Sequence, residues 1–141
     1  MEDKPVMFID SNYWIYLFDR TTAEHPHVKS HFEKICGNAE LAVNVVILVE
    51  VMHYLVKRLG PVLSKEKWEL FRSMEMLVGG LDVNSIDSVY TVLSKHAHAG
   101  IGGRDASVLQ FMEKHHIHVI CTHDVAFKRV QNITVIDPVP T

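Results

Sequence analysis

The chain has 141 residues, 48% of them hydrophobic and 22% charged, which suits one soluble globular domain over residues 1–141 and leaves little room for a second. A formal net charge of −3 runs against a general nucleic-acid binder, unless the acids gather at a site whose bound cations reverse its local sign. The two cysteines, Cys36 and Cys121, lack zinc spacing and are expected as small buried hydrophobes in a reducing compartment rather than as a bridge.

The start of the chain is acidic and its first apolar run is very short, unlike a secretory signal. The most apolar stretch, residues 41–52, contains Asn44 and Glu50 and is too short to span a bilayer. A cytoplasmic protein with no membrane partner is therefore expected.

Val6–Ile9 is a short apolar run suited to a buried strand, after which Asp10 or Ser11 is placed to cap a helix over residues 12–18. A second helix is expected over 26–35, stopped by Gly37, and a second strand over 41–43. Asn44 then caps a long helix over 45–59, apolar on nearly every side and so expected to be well buried, which Gly60-Pro61 ends. Trp68, Phe71, Met74, Leu77 and Val78 recur at helical spacing, which predicts a helix over 64–78 closed by Gly79-Gly80. A third strand is expected over 81–83, and a helix over 88–97 capped by Asp87. Beyond the glycine-rich loop 100–103, a helix over 105–115, a strand over 117–121, a short helix over 125–130 and a strand over 133–136 complete the chain. Strands separated by helices imply right-handed crossovers and a mainly parallel sheet covered on both faces.

Four acids sit where such a fold places functional groups. Asp10 directly follows the first strand and Asp124 follows the fourth by a short turn. In open parallel sheets ligands bind beyond the carboxyl ends of the strands, where the strand order reverses. Each acid is also a good helix cap, and taken singly capping is the better explanation of either. Glu50 is different, because Val45 to Met52 is otherwise apolar and a buried carboxylate there needs a counter-charge. The helix residues before it supply no cation and Lys57 and Arg58 lie about two turns on, so a metal ion is the expected partner. Asp105 opens its helix after Gly102-Gly103-Arg104. Four converging acids would repel one another without divalent cations, and Mg²⁺ or Mn²⁺, which prefer oxygen ligands, suit phosphodiester hydrolysis.

At these residues the sequence resembles the PIN-domain family. Phe8-Ile9-Asp10-Ser11-Asn12 is similar to its opening strand, Leu48-Val49-Glu50-Val51 to its helical glutamate and Gly103-Arg104-Asp105-Ala106 to its third acid. Ile120-Cys121-Thr122-His123-Asp124-Val125-Ala126-Phe127 is similar to its last acidic motif. The resemblance implies a three-layer α/β/α sandwich with a five-stranded parallel sheet ordered 3-2-1-4-5, which sets Asp10 beside Asp124. It implies Mg²⁺- or Mn²⁺-dependent endonucleolytic cleavage of single-stranded RNA by water, with Asp10, Glu50, Asp105 and Asp124 as metal ligands. Ser11, Asn12 and Thr122 carry over as supporting polar groups, although capping and turn bonds account for them equally. The size resembles stand-alone prokaryotic VapC-type toxins, which implies a homodimer and a small antitoxin partner; the middle of the chain, residues 53–76, matches no family signature.

Arg104 is the best-placed residue to contact a phosphate, with a plain surface role as its alternative. Lys57, Arg58, Lys128 and Arg129 are candidates for a basic rim, and Trp14 and Tyr16 for core or base stacking. The His-x-His pairs lack the acid or cysteine that would complete a metal site. A housekeeping RNA-processing nuclease and a non-catalytic scaffold that binds RNA or protein share the same fold, but a silent member is expected to have lost one of the acids.

Overall fold

The apolar run Val-Met-Phe-Ile has no polar side to turn to water, and it forms the central strand of the sheet. In the computed structural model, which describes residues 3–141, β1 (Val6–Ile9) is flanked by β2 (Glu40–Asn44) and β4 (Val119–Cys121). The edges are β3 (Leu77–Gly79) beside β2 and β5 (Thr134–Ile136) beside β4, giving five parallel strands in the order β3-β2-β1-β4-β5. In register, Phe8 lies between Ala42 and Ile120, and all three are fully buried. The first two residues of the acidic start lie outside the described residues. No described helix is long and apolar enough to cross a membrane.

Five helices join the strands: α1 (Ser11–Phe18), α2 (His25–Ile35), α3 (Val45–Ser73), α4 (Val83–His96) and α5 (Gly103–Lys114). The connections from β1 to β2 and β2 to β3 step one way across the sheet, and those from β3 to β4 and β4 to β5 step the other way. Right-handed crossovers therefore place α1, α2 and α3 on one face and α4 and α5 on the other. The contacts of α1 with α2 and α3, and of α4 with α5, agree. On the first face Trp14 anchors an aromatic cluster, 4.7 Å from Phe71 and stacked on Phe18, while its indole N–H donates to the Ile9 carbonyl at 3.2 Å. Trp14 is thus core.

Four expectations are corrected by the structure, whereas the break at Gly60-Pro61 stands. The two helices expected on either side of Gly60-Pro61 are the two arms of α3, separated where Gly60 takes the non-helical φ 80°, ψ 170°. The third strand is Leu77–Gly79 rather than 81–83, because the second arm of α3 stops at Ser73 and Met74 is already extended. Gly79 is consequently a strand residue, and a Cβ there would lie 1.9 Å from the Phe111 ring. Asp82, not Asp87, caps α4, through a capping box with Ser85. Finally, the first arm of α3 is not buried all round: Ile47, Val51 and Leu55 face the core, whereas Val49, Met52 and Val56 are 60%, 43% and 58% exposed. Cys121 is buried as expected, but Cys36, where α2 ends, is exposed.

Candidate active site

Parallel pairing of β1 with β4 brings their carboxyl ends together where the strand order reverses. The Asp10 N–H donates to the Cys121 carbonyl at 3.0 Å, so Asp10 and Thr122 leave the sheet side by side. Asp10 is fully buried. Its Oδ1 accepts from the Ser11 N–H at 2.8 Å and its Oδ2 from the Thr122 hydroxyl at 2.7 Å. The Thr122 hydroxyl oxygen in turn accepts from Asn12 Nδ2 at 3.2 Å and from the Asp124 N–H at 3.0 Å. Asn12 closes the ring by accepting the His123 N–H at 3.1 Å. Ser11, Asn12 and Thr122 therefore hold the ends of β1 and β4 in one hydrogen-bonded unit with Asp10 at its centre.

Glu50 and Asp105 reach the same place from the two helical layers. α3 is capped by Asn44, whose Oδ1 accepts the Ile47 N–H at 3.1 Å. The other end of the same amide donates to the Ser107 carbonyl at 3.3 Å, and the Ser107 hydroxyl donates to the Arg104 carbonyl at 2.7 Å. Asn44 thereby ties the first turn of α3 to the first turn of α5. Only its capping role could be read from the sequence; nothing local to it points 63 residues on.

The acids meet on Arg104. Its Nε donates to both Glu50 oxygens at 2.9 and 3.1 Å, one terminal nitrogen donates to Glu50 Oε1 at 2.8 Å, and the other to Asp105 Oδ1 at 3.0 Å. The nitrogen on Glu50 also reaches Ser11 Oγ at 2.9 Å and donates to Asp10 Oδ1. This overturns the expectation that Glu50 lacks a cationic partner: its counter-charge is an arginine 54 residues downstream. Asp124 stands apart from the guanidinium and caps the turn Val125–Arg129, accepting the Ala126 N–H at 2.9 Å.

Three carboxylates share one guanidinium, with Asp124 beside them, so negative charge is in excess. Burial holds the Asp105 carboxyl above the ordinary carboxylate range, and nearby Asp124 and Asp10 push the same way against the opposing pull of Arg104. For Arg104, burial works against the charge, but hydrogen bonds and attraction from Glu50 and Asp10 outweigh it and fix the guanidinium as a cation. The donors are carboxylate, hydroxyl and amide oxygens, which by chemistry fit a hard divalent cation. With Arg104 between them, no three acidic, histidine or cysteine side chains among the described residues stand close enough to chelate one ion.

Two members of the expected basic rim, Lys128 and Arg58, have partners of their own. Lys128 and His123 both bind Asp137, at 3.1 and 2.9 Å, and Arg58 lies over the Tyr54 ring.

A doubly wound parallel sheet with acids from β1, α3, α5 and the β4 end around its reversal point defines a class of small α/β proteins. Within it, the family model described as the PIN domain matches residues 7–133, and the chain belongs to that family. No curated protein sequence matches. Among solved structures, the chain is similar to VapC20 from Mycobacterium tuberculosis, with TM-score 0.74, 18% identity, and 90% of this chain and 96% of that one covered. It is similar to VapBC2 from Rickettsia felis, with TM-score 0.73, 15% identity, and 94% and 98% covered. FitAcB from Neisseria gonorrhoeae gives TM-score 0.64, 14% identity, and 94% and 97% covered. At these identities the likeness is one of fold.

Proposed function

We propose that the protein is a divalent-cation-dependent endoribonuclease, acting as the toxin of a toxin–antitoxin pair. The observation that carries this reading is the gathering of Asp10, Glu50, Asp105 and Asp124, from four separate stretches, at the reversal point of a PIN sheet. These four would hold Mg²⁺ or Mn²⁺. When bound, the cation supplies activation of water and neutralises charge on the phosphodiester oxygens. The chain's own residues orient the ligands: Thr122 and the Ser11 N–H fix the two oxygens of Asp10, and Asn12 locks the strand ends on which Asp10 and Asp124 are mounted. Arg104 is within reach of the same place and suits a phosphate by its planar fork of donors.

Support for the toxin reading comes from the solved relatives. VapC20 is described as a toxin that cleaves the sarcin-ricin loop, and VapBC2 was solved bound to a DNA fragment from its promoter. A single-stranded RNA substrate, a small antitoxin and a cytoplasmic location follow for this chain under the same reading. The exposed stripe Val49, Met52 and Val56 supports a homodimer, since covering it would remove apolar surface from water.

The deciding experiment is cleavage of total RNA with Mg²⁺ or Mn²⁺, with end mapping. Cleavage is expected to vanish with EDTA and in Asp10→Asn; an Asp10→Asn protein that cleaves at the wild-type rate would refute the mechanism. The pairing of Glu50 with Arg104 favours one second reading, a non-catalytic scaffold. RNA binding without cleavage under any divalent cation would select it.

A further inference from the structure

We infer that Arg104 is a resident counter-cation that a divalent ion must displace, so that the arginine and the metal hold the acids in alternation. The inference rests on the nuclease reading and deepens it.

The first ground is lone-pair accounting. A carboxylate oxygen offers about two acceptor sites. Asp10 Oδ1 spends both, on the Ser11 N–H and on Arg104. Glu50 Oε1 also spends both, on Nε and a terminal nitrogen of Arg104. Those two oxygens therefore have no lone pair left for an ion while Arg104 stays in place, whereas Glu50 Oε2 and Asp105 Oδ1 each spend one on it. Oδ2 of Asp10 takes only Thr122, and the Asp124 oxygens do not touch Arg104, so part of the donor set is ready beforehand.

The second ground is charge. Three carboxylates paired with one guanidinium, and Asp124 beside them, leave an excess of negative charge. Replacing a single charge by a double one relieves it further, which gives the ion a reason to take the place.

The third ground is that Arg104 can leave. Its side chain is 28% exposed, unlike that of Asp10 at 1%, so it can swing to solvent without opening the core. It sits in the first turn of α5, where the positive end of the helix disfavours a cation, so the acids and not the helix hold it. Neither Gly102 nor Gly103 has an atom within 4 Å of where a Cβ would stand, so the backbone leading to Arg104 is not wedged by packing. Once released, the guanidinium remains beside the site with its fork free for a phosphate of the substrate.

The test is Mn²⁺ binding to the intact chain by titration calorimetry, comparing wild type with Arg104→Gln and Arg104→Lys. Beside it, the Nε–H signal of Arg104 is followed by NMR in the wild-type protein as Mg²⁺ is added. Arg104→Gln is expected to bind Mn²⁺ at least tenfold more tightly than wild type, with Arg104→Lys in between. Its ion-free form should melt lower and gain more from Mn²⁺. In wild type, Mg²⁺ should shift the Nε–H signal and speed its exchange with water. Equal or weaker Mn²⁺ binding by Arg104→Gln, or an Nε–H signal unmoved at saturating Mg²⁺, overturns the inference and leaves the nuclease reading intact. Absence of Mn²⁺ binding to every form overturns both. Should Arg104→Gln fail to fold, Arg104→Lys and the wild-type NMR signal decide.

Discussion

Asn44 offers the sharpest test of how the two helical layers are held over the site. It is 2% exposed, caps α3 through its oxygen, and crosses to Ser107 of α5 through its nitrogen. Asn44→Ala removes both bonds: loss of the cap costs about 1 kcal/mol, and loss of a buried cross-helix bond a further 1 kcal/mol or so. Asn44→Ser keeps a hydroxyl for the Ile47 N–H and loses only the reach to Ser107, so it should cost about half as much. A total near 2 kcal/mol corresponds to a fall of roughly 5–10 °C in melting temperature for a domain of this size. Urea denaturation of wild type, Asn44→Ser and Asn44→Ala, read at constant m-value, measures the two steps. Because Glu50 and Arg104 ride on the joined helices, RNA cleavage should fall in the same order under the nuclease reading. Identical stabilities for Asn44→Ser and Asn44→Ala would show that the bond to Ser107 contributes nothing; two neutral variants would refute the clamp altogether.

Two further outcomes are expected. Gly79→Ala drives a methyl to within 1.9 Å of the Phe111 ring, itself wedged edge-on against Phe8, and should cost about 1–3 kcal/mol as overpacking; trimming the ring in Gly79→Ala/Phe111→Leu should recover part of that loss in a double-mutant cycle, and strict additivity would argue against the clash. Acid should destabilise the fold through Asp19 and Asp137. At Asp19 burial pushes the carboxyl up, but bonds from Thr21 and Tyr54 outweigh it and hold it low; at Asp137 His123 and Lys128 do the same against burial. Their folded pKa values lie below the unfolded value of about 4, so this stability is complete above that pH and is lost as pH falls through the folded values. Urea midpoints from pH 7 down to 2 should drop, and drop less in Asp137→Asn; an unchanged acid profile in that variant would remove Asp137 from the account.

Much of the fold was legible because its signals are local. Apolar runs of three or four residues bounded by turn signals, and helices with side chains at 3.6-residue spacing, revealed alternating strands and helices. The resemblance supplied the strand order that the structure shows. The misplaced third strand has a local cause as well. Leu77 and Val78 continue the spacing of Trp68, Phe71 and Met74, and a strand of three residues is too short to display a period of its own. The apolar first arm of α3 reads as well buried because composition does not tell a core face from a face left to water; Val49, Met52 and Val56 lie on the latter.

By itself the sequence determined which side chains can carry chemistry, for Asp10, Glu50, Asp105 and Asp124 are set at strand and helix ends by the local pattern around each. Only the tertiary structure decided what neutralises them. Arg104 is remote in the chain from Asp10 and Glu50 and becomes their partner only when β1, α3 and α5 converge. Local periodicity reaches about one helical turn, whereas Coulomb attraction depends on distance in space.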